Sequence, residues 1–491
     1  MVLEKTISIF ILLLSSPSAV AHSGERVEYD EEPEPEPEPQ VIVVDNPPNG
    51  GYGWVCVAAS AMINGHTWGL NSSYSVFLAH YLATNTFPGA SRLDFAFIGG
   101  LSIGTAMVVS PVATASVRRF GTNMTLLIGV FFESGSFIGA SFTKSIWQLF
   151  LSQGLCFGLG MGFLFVASVG VAPQWFTTRR SLAGATAAAG SGLGGLIYSL
   201  AANAMIQSIG LPWAFRVLGI ICFVVNTISS LLMRDRNKLV KPNQLSFDYR
   251  LFRNLDFILL SAWGIFSMLG YIVLIFSLAN YARTVGLTAK QGSVISALLN
   301  LGQMIGRPPI GYFSDAMGRL NMATIMTFLC GIFALVIWIF AKSYGVLIFF
   351  ALIGGTVAGT FWATIGPVAA EVFGLKELPS VLNLTWLIIT LPTTFSEPIA
   401  LEIVSFNGGS YLGAQIFTGF MYIGAAASLW ALRARKLGAL ERVAAQEHRS
   451  AQDINPVTEG TEIIDEVQNA SEKQELDISP YFSRLVKWRR V

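Results

Sequence analysis

The sequence predicts an all-α polytopic membrane protein: twelve transmembrane helices in two six-helix halves, with both termini on the cytosolic side. Three observations carry that expectation. Of 491 residues, 53% are hydrophobic and 12% charged, about half the charge of a soluble domain. The apolar residues fall in runs of about 20, the length that crosses a bilayer. Those runs come as six, a charged break, and six more.

Residues 1–50 stand apart. "SIFILLLSSPSAVA" has the form of a signal-peptide core, but Glu4 and Lys5 leave its N-terminal flank uncharged overall, so an uncleaved apolar stretch is the competing reading. The "EEPEPEPEPQ" that follows buries no apolar surface and predicts an extended, disordered tail. The first half, 51–233, carries predicted helices near 52–78, 95–117, 123–142, 146–173, 181–207 and 211–233. A linker at 234–255 follows. The second half, 256–434, carries helices near 256–283, 291–313, 321–341, 343–370, 379–405 and 411–433, and 435–491 reads as a cytosolic tail.

Orientation follows from Lys and Arg in the breaks. With the N-terminus inside, the cytosolic breaks hold fifteen of them (near 118, 179, 234–253, 319, 376 and 433–436), and the outer breaks hold Arg92, Lys144, Arg283, Lys290 and Lys342. The N-glycosylation triplets at Asn71, Asn123, Asn383 and Asn469 then fall in the membrane or the cytosol.

The same inventory excludes several functions. A net charge of +1 offers nothing to nucleic acid. Cys56, Cys156, Cys222 and Cys330 lack metal or disulfide spacing, and His22, His66, His80 and His448 are scattered. We expect no catalytic residues, metal or cofactor, and no phosphate-binding loop signals ATP-driven pumping. The expected partners are the lipid bilayer and a small molecule.

The chain also repeats itself. "PVATASVRRFGTNM" (Pro111–Met124) and "PPIGYFSDAMGRLNM" (Pro308–Met322) each close an even-numbered span and set Pro ten residues before Gly, as Pro111–Gly121 and Pro308–Gly318. Duplicated halves with a site between them are a common plan for solute carriers.

Three blocks carry a family resemblance. The loop after the eighth span, Gly311, Asp315, Gly318 and Arg319, resembles that of the major facilitator superfamily. "NGGYGW" (Asn49–Trp54) and "WFTTRRSLAGATAAAGSGLGG" (Trp175–Gly195) resemble the two signatures of its monocarboxylate transporter family, and "WGLNSSYSVF" resembles the fungal branch. The resemblance implies a secondary transporter moving a small organic solute by alternating access, most simply at the plasma membrane. It also implies that Arg307 receives the substrate anion. The family's transport lysine falls on Ser72 and its proton-linked aspartate on Gln303, so the usual proton relay is broken here.

The residues supply their own candidates. Ionisable groups inside apolar spans are the default functional positions, because an unpaired buried charge is costly. Arg307 offers a bidentate fork to a carboxylate; its alternative is a structural cation. Glu133 and Glu397 are the candidates for proton coupling, with plain packing as the alternative. Asn64, Thr67 and Asn71, with His66 and Trp68 beside them, form a polar stripe in the first span, and Asn300, Gln303 and Arg307 form one in the eighth. The small-residue run of the fifth span reads as close helix packing, and Gly51–Trp54 as an interfacial anchor. Asp315, Gly318, Arg319 and Gly311 are expected to form a gating loop, with Arg118 and Arg119 at the matching place in the first half. Substrate identity, direction, proton coupling and oligomeric state stay open, as do a biosynthetic efflux role and a non-transporting receptor on the same fold.

Overall fold

The computed structural model describes residues 47–84, 86–90, 92–237 and 248–453, and every regular element among them is helical. The tail before residue 47, part of the 234–255 linker and the chain beyond 453 lie outside the described residues.

The first predicted span is four pieces: α1 (Gly53–Asn64), a π turn at Gly65–Gly69, α2 (Leu70–Ser72) and then α3 (Tyr74–Thr84). α4 (Arg92–Val108) bends by 43° into α5 (Ser110–Phe120) just ahead of Pro111. α6 (Thr122–Ala140) follows. α7 (Ile146–Leu149) runs through a π stretch, Phe150–Cys156, into α8 (Phe157–Val169) and the short α9 (Ala172–Trp175). α10 (Arg180–Ile209) and α11 (Leu211–Leu232) complete the first half. The second half is α12 (Leu255–Thr284), α13 (Ala289–Met317), α14 (Arg319–Phe333) with a π turn at Ala334–Trp338, α15 (Tyr344–Ala358), α16 (Thr360–Phe406) and α17 (Leu412–Asp453).

Among the described residues, seven helices are long and apolar enough to cross a membrane, or eight if the bent α4–α5 pair is one span. That count and the predicted twelve differ for physical reasons. α10 is rich in Gly, Ala and Ser, and α13 carries Lys290, Arg307 and Asp315, so both are long but too polar to score. The stretch Tyr344–Phe406 scores once although it holds separate rods: Gly374, at φ 81°, breaks α16 where the sequence predicted a break near 370–379. α17 departs most. It continues to Asp453 through residues predicted as tail, because "ALRARKLGALERVAAQEHRSAQD" is dominated by strong helix formers.

Small residues decide the central packing. α10 lies against α1 and its π turn on one side and against α13 on the other. A methyl group at Gly190 would overlap the Ala61 backbone, and one at Gly194 the Gly65 backbone. One at Gly192 would sit 2.8 Å from the Asn300 carbonyl oxygen. α12 packs on α16 and α17, while α4 reaches α16 across the halves, with Gly104 tight against Thr394. The repeat is visible in the backbone: Gly121 (φ 83°) and Gly318 (φ 103°) each stop one helix and start the next in a conformation that residues with a Cβ resist.

Candidate functional site

The helices of the two halves enclose a cavity of about 1050 Å³, its open mouth included. The first half contributes α1 with its π turn, α2, α4, α8, α9 and α10; the second contributes α12, α13 and α16. The structure brings Asn64, Asn71, Asn300, Gln303 and Arg307 to this one space, along with Ser72 and Ser191.

His66 and Thr67 are placed elsewhere. His66 Nδ1 lies 2.8 Å from the Met62 carbonyl oxygen, with its ring against Tyr198. Thr67 is fully buried and donates to the Ile63 carbonyl oxygen at 2.7 Å. The cause is the π turn. A straight α-helix would put positions 64, 67 and 71 on one face, but the wider turn at Gly65–Gly69 shifts the register, and Trp68 takes the cavity position instead. Asn64 Nδ2 bridges the Ser60 and Ala187 carbonyl oxygens at 3.0 and 3.1 Å, tying α1 to α10. Asn71 Nδ2 donates to Ser102 Oγ at 2.8 Å.

Arg307 is 2% exposed. Its Nη2 donates to Gln303 Oε1, and its Nη1 reaches across the halves to the Ala188 carbonyl oxygen and Ser191 Oγ on α10. Gln303 Oε1 also accepts from the Tyr271 hydroxyl at 2.9 Å. A carboxylate at position 303 would neutralise the guanidinium; the amide leaves its charge in place. Among the described residues the cavity lining contains no acidic side chain and one fixed charge, the positive charge of Arg307. Burying such a charge without a counter-ion costs several kcal/mol.

Part of the wall is aromatic, and only Trp68 was singled out from the sequence. Its ring lies 4.9 Å from Trp362 and 5.3 Å from Phe165. Trp386 stacks behind Trp362 at 5.8 Å and 15°. Trp362, Trp386 and Phe165 sit in apolar runs where no sequence spacing separates cavity wall from lipid face.

The two membrane carboxyls lie off the cavity. Glu133 is fully buried between α6 and α11, its Oε2 accepting from Asn226 Nδ2 at 2.6 Å. A methyl at Gly160 on α8 would collide with the Glu133 backbone, so α8 seals the third side. Glu397 Oε1 accepts from Ser277 Oγ at 2.9 Å.

A second constellation gathers at the start of α10. Asp315 Oδ1 accepts from the Ser181 N–H at 3.0 Å and Oδ2 from the Leu182 N–H at 2.9 Å, so a carboxylate from the second half caps a helix of the first. Gly311 permits the approach: a methyl there would fall 2.5 Å from the Ser181 carbonyl oxygen. Arg319 pairs with Glu371 at 2.9 Å and with Asp315 at 3.4 Å, and donates to the Thr177 carbonyl oxygen at 2.8 Å. Arg118 and Arg119 are exposed in the last turn of α5. Sequence reasoning missed Glu371, and also the part played by Asn49. Asn49 Oδ1 accepts from the Thr177 and Thr178 N–H groups at 2.7 and 3.0 Å, and Asn49 N donates to the Trp175 carbonyl oxygen at 3.1 Å. The two blocks that carried the resemblance therefore meet at the loop ahead of α10. Tyr52 fits an anchoring role, its ring 4.2 Å from the Arg234 guanidinium carbon.

This architecture matches known proteins. A family model for the Major Facilitator Superfamily matches residues 55–269 and 260–464. The chain belongs to the Major Facilitator Superfamily. It is an integral, multi-pass membrane protein. It is 36% identical over 411 residues to "Probable transporter MCH2" of Saccharomyces cerevisiae, covering 82% of this chain and 87% of that protein. To "Uncharacterized transporter ESBP6" of the same yeast it is 32% identical, covering 77% of this chain and 58% of that one. To the "Fujikurins efflux protein" of Gibberella fujikuroi it is 27% identical, over 77% of this chain and 82% of that one. Members of this superfamily with transporter names thus surround the chain.

Proposed function

We propose that this superfamily member is a secondary transporter that carries a small organic anion, a monocarboxylate or a related metabolite, by alternating access. The observation that carries the reading is Arg307: a buried cation without a carboxylate partner among the described residues, on the wall of a cavity shared by both halves. Its guanidinium supplies the counter-charge for a carboxylate. Asn64, Asn71, Asn300 and Gln303 supply neutral hydrogen-bonding groups around it. The twelve spans in two halves (51–233 and 256–434), cytosolic termini and plasma-membrane location belong to the same proposal, supported by the distribution of Lys and Arg along the sequence.

The contact of Asp315 and Arg319 with the start of α10 serves as the gate, and Gly311 and Gly318 shape it. Proton coupling, where present, uses Glu133 or Glu397, since Ser72 and Gln303 replace the family's titrating pair. A biosynthetic efflux role is the second reading, favoured by the name of the Gibberella relative.

Purified protein in liposomes tests the proposal. Labelled organic anions should enter with the wild type, and Arg307→Ala should abolish uptake without changing the amount inserted. Anion flux that survives Arg307→Ala refutes the role of Arg307, and the absence of flux for every anion refutes transport.

A further inference from the structure

Four nitrogen donors on the cavity wall find no acceptor among the described residues: Nε1 of Trp68, Nε1 of Trp362, Nε2 of Gln303 and Nε of Arg307. All four atoms are shielded from solvent. The sign of this set is uniform: every unpartnered buried polar side-chain atom among the lining residues is a donor, and no lining side chain is a carboxylate. Gln303 and Arg307 are themselves 1% and 2% exposed. Buried donors without acceptors are costly, so a bound solute that offers oxygen lone pairs gains wherever it reaches one of them, whereas a solute offering donors gains at none.

The shape of the wall adds a second constraint. The Trp68 and Trp362 rings lie 4.9 Å apart at a tilt of 42°, Phe165 buttresses Trp68, and Trp386 lies nearly parallel behind Trp362. Trp386 is fully buried and locks the Trp362 plane. Aromatic side chains on a cavity wall favour flat, apolar partners, and each of the two cavity indoles also carries an unpartnered N–H.

We infer that the cavity selects planar aryl or conjugated acids bearing a second acceptor oxygen, such as a 2-oxo group, over short aliphatic acids. In this assignment Arg307 and Gln303 hold the carboxylate, and the Trp68–Trp362 pair reads the body and its additional oxygen. The inference rests on the proposed reading of Arg307 as the carboxylate's counter-ion and extends it to the rest of the solute.

Liposome uptake of three labelled probes tests it: lactate, phenylacetate and phenylpyruvate, each measured with and without Arg307→Ala. The wild type should favour phenylpyruvate over phenylacetate, and phenylacetate over lactate, by about tenfold at each step, the scale of one satisfied buried donor or one well-packed ring. Trp362→Leu should collapse the aryl preference to within about threefold. Trp362→Phe keeps a ring without the N–H and should retain the aryl preference while losing much of the phenylpyruvate-over-phenylacetate step; it also guards against a folding defect in the Leu variant. Arg307-dependent flux that treats lactate and phenylpyruvate alike overturns this inference alone. Preferences unmoved by either Trp362 variant overturn it too. No Arg307-dependent flux for any probe overturns the anion-transport reading with it.

Discussion

Replacing Asp315 by Asn should open the contact at the start of α10 in a measurable way. The carboxylate holds two backbone N–H groups at 3.0 and 2.9 Å and pairs with Arg319, with the Asp315 side chain 10% exposed. An amide of the same shape keeps one acceptor and turns a donor toward the other N–H. It also removes the negative charge from a helix N-terminus. One charge-assisted hydrogen bond and the attraction to the helix end together amount to about 2 kcal/mol. That is about a thirtyfold shift between closed and open states. Spin labels at Arg179→Cys and Tyr312→Cys, both exposed positions flanking the contact, would report the separation by pulsed electron resonance. The variant should move population from the short distance of this structure to a longer one. A distance distribution identical to that of the wild type would refute the assignment of Asp315 as the closing element.

Asn49→Ala removes the acceptor that holds the Thr177 and Thr178 N–H groups, and should lower the maximal uptake rate several-fold while leaving the half-saturating concentration near wild type; a change confined to the latter contradicts it. Gly311→Val should separate α10 from α13 at a cost of about 1–3 kcal/mol, read as a lower melting temperature in detergent, with Gly135, whose added methyl meets no atom within 4 Å, as the tolerant control. Glu133→Gln is nearly isosteric and keeps the Asn226 contact; if Glu133 carries the coupled proton, uptake by this variant no longer responds to an imposed pH gradient, and an unchanged response assigns coupling elsewhere.

Particular residues show how far the sequence could be read. Arg307 stood out because a guanidinium inside an apolar run is costly anywhere but at a partner or a cavity, and the spacing of Asn300, Gln303 and Arg307 holds in the regular helix α13. The same argument misplaced Thr67, because a π turn changes the period on which it depends, and the glycines at 65 and 69 were the available hint. Trp362 and Trp386 gave no signal: which face of an apolar helix meets a cavity is decided by its neighbours. The loop at Asp315 was legible as a repeat, but its partners, Glu371 and the Ser181 and Leu182 N–H groups, come from distant segments. Asn49 was read only as part of a signature, and its grip on Thr177 depends on the fold.

The bonds of Arg307 to Ala188 and Ser191 have a further consequence. The guanidinium acts as a bolt: it stands on α13 and is fastened to α10. A carboxylate seated on Nη1 competes for the same hydrogens. Loading would then unfasten α13 from α10, and each state of the bolt would favour the other state of occupancy. A carrier wired this way would convert the arrival of its cargo into slack between its halves, without a separate sensor.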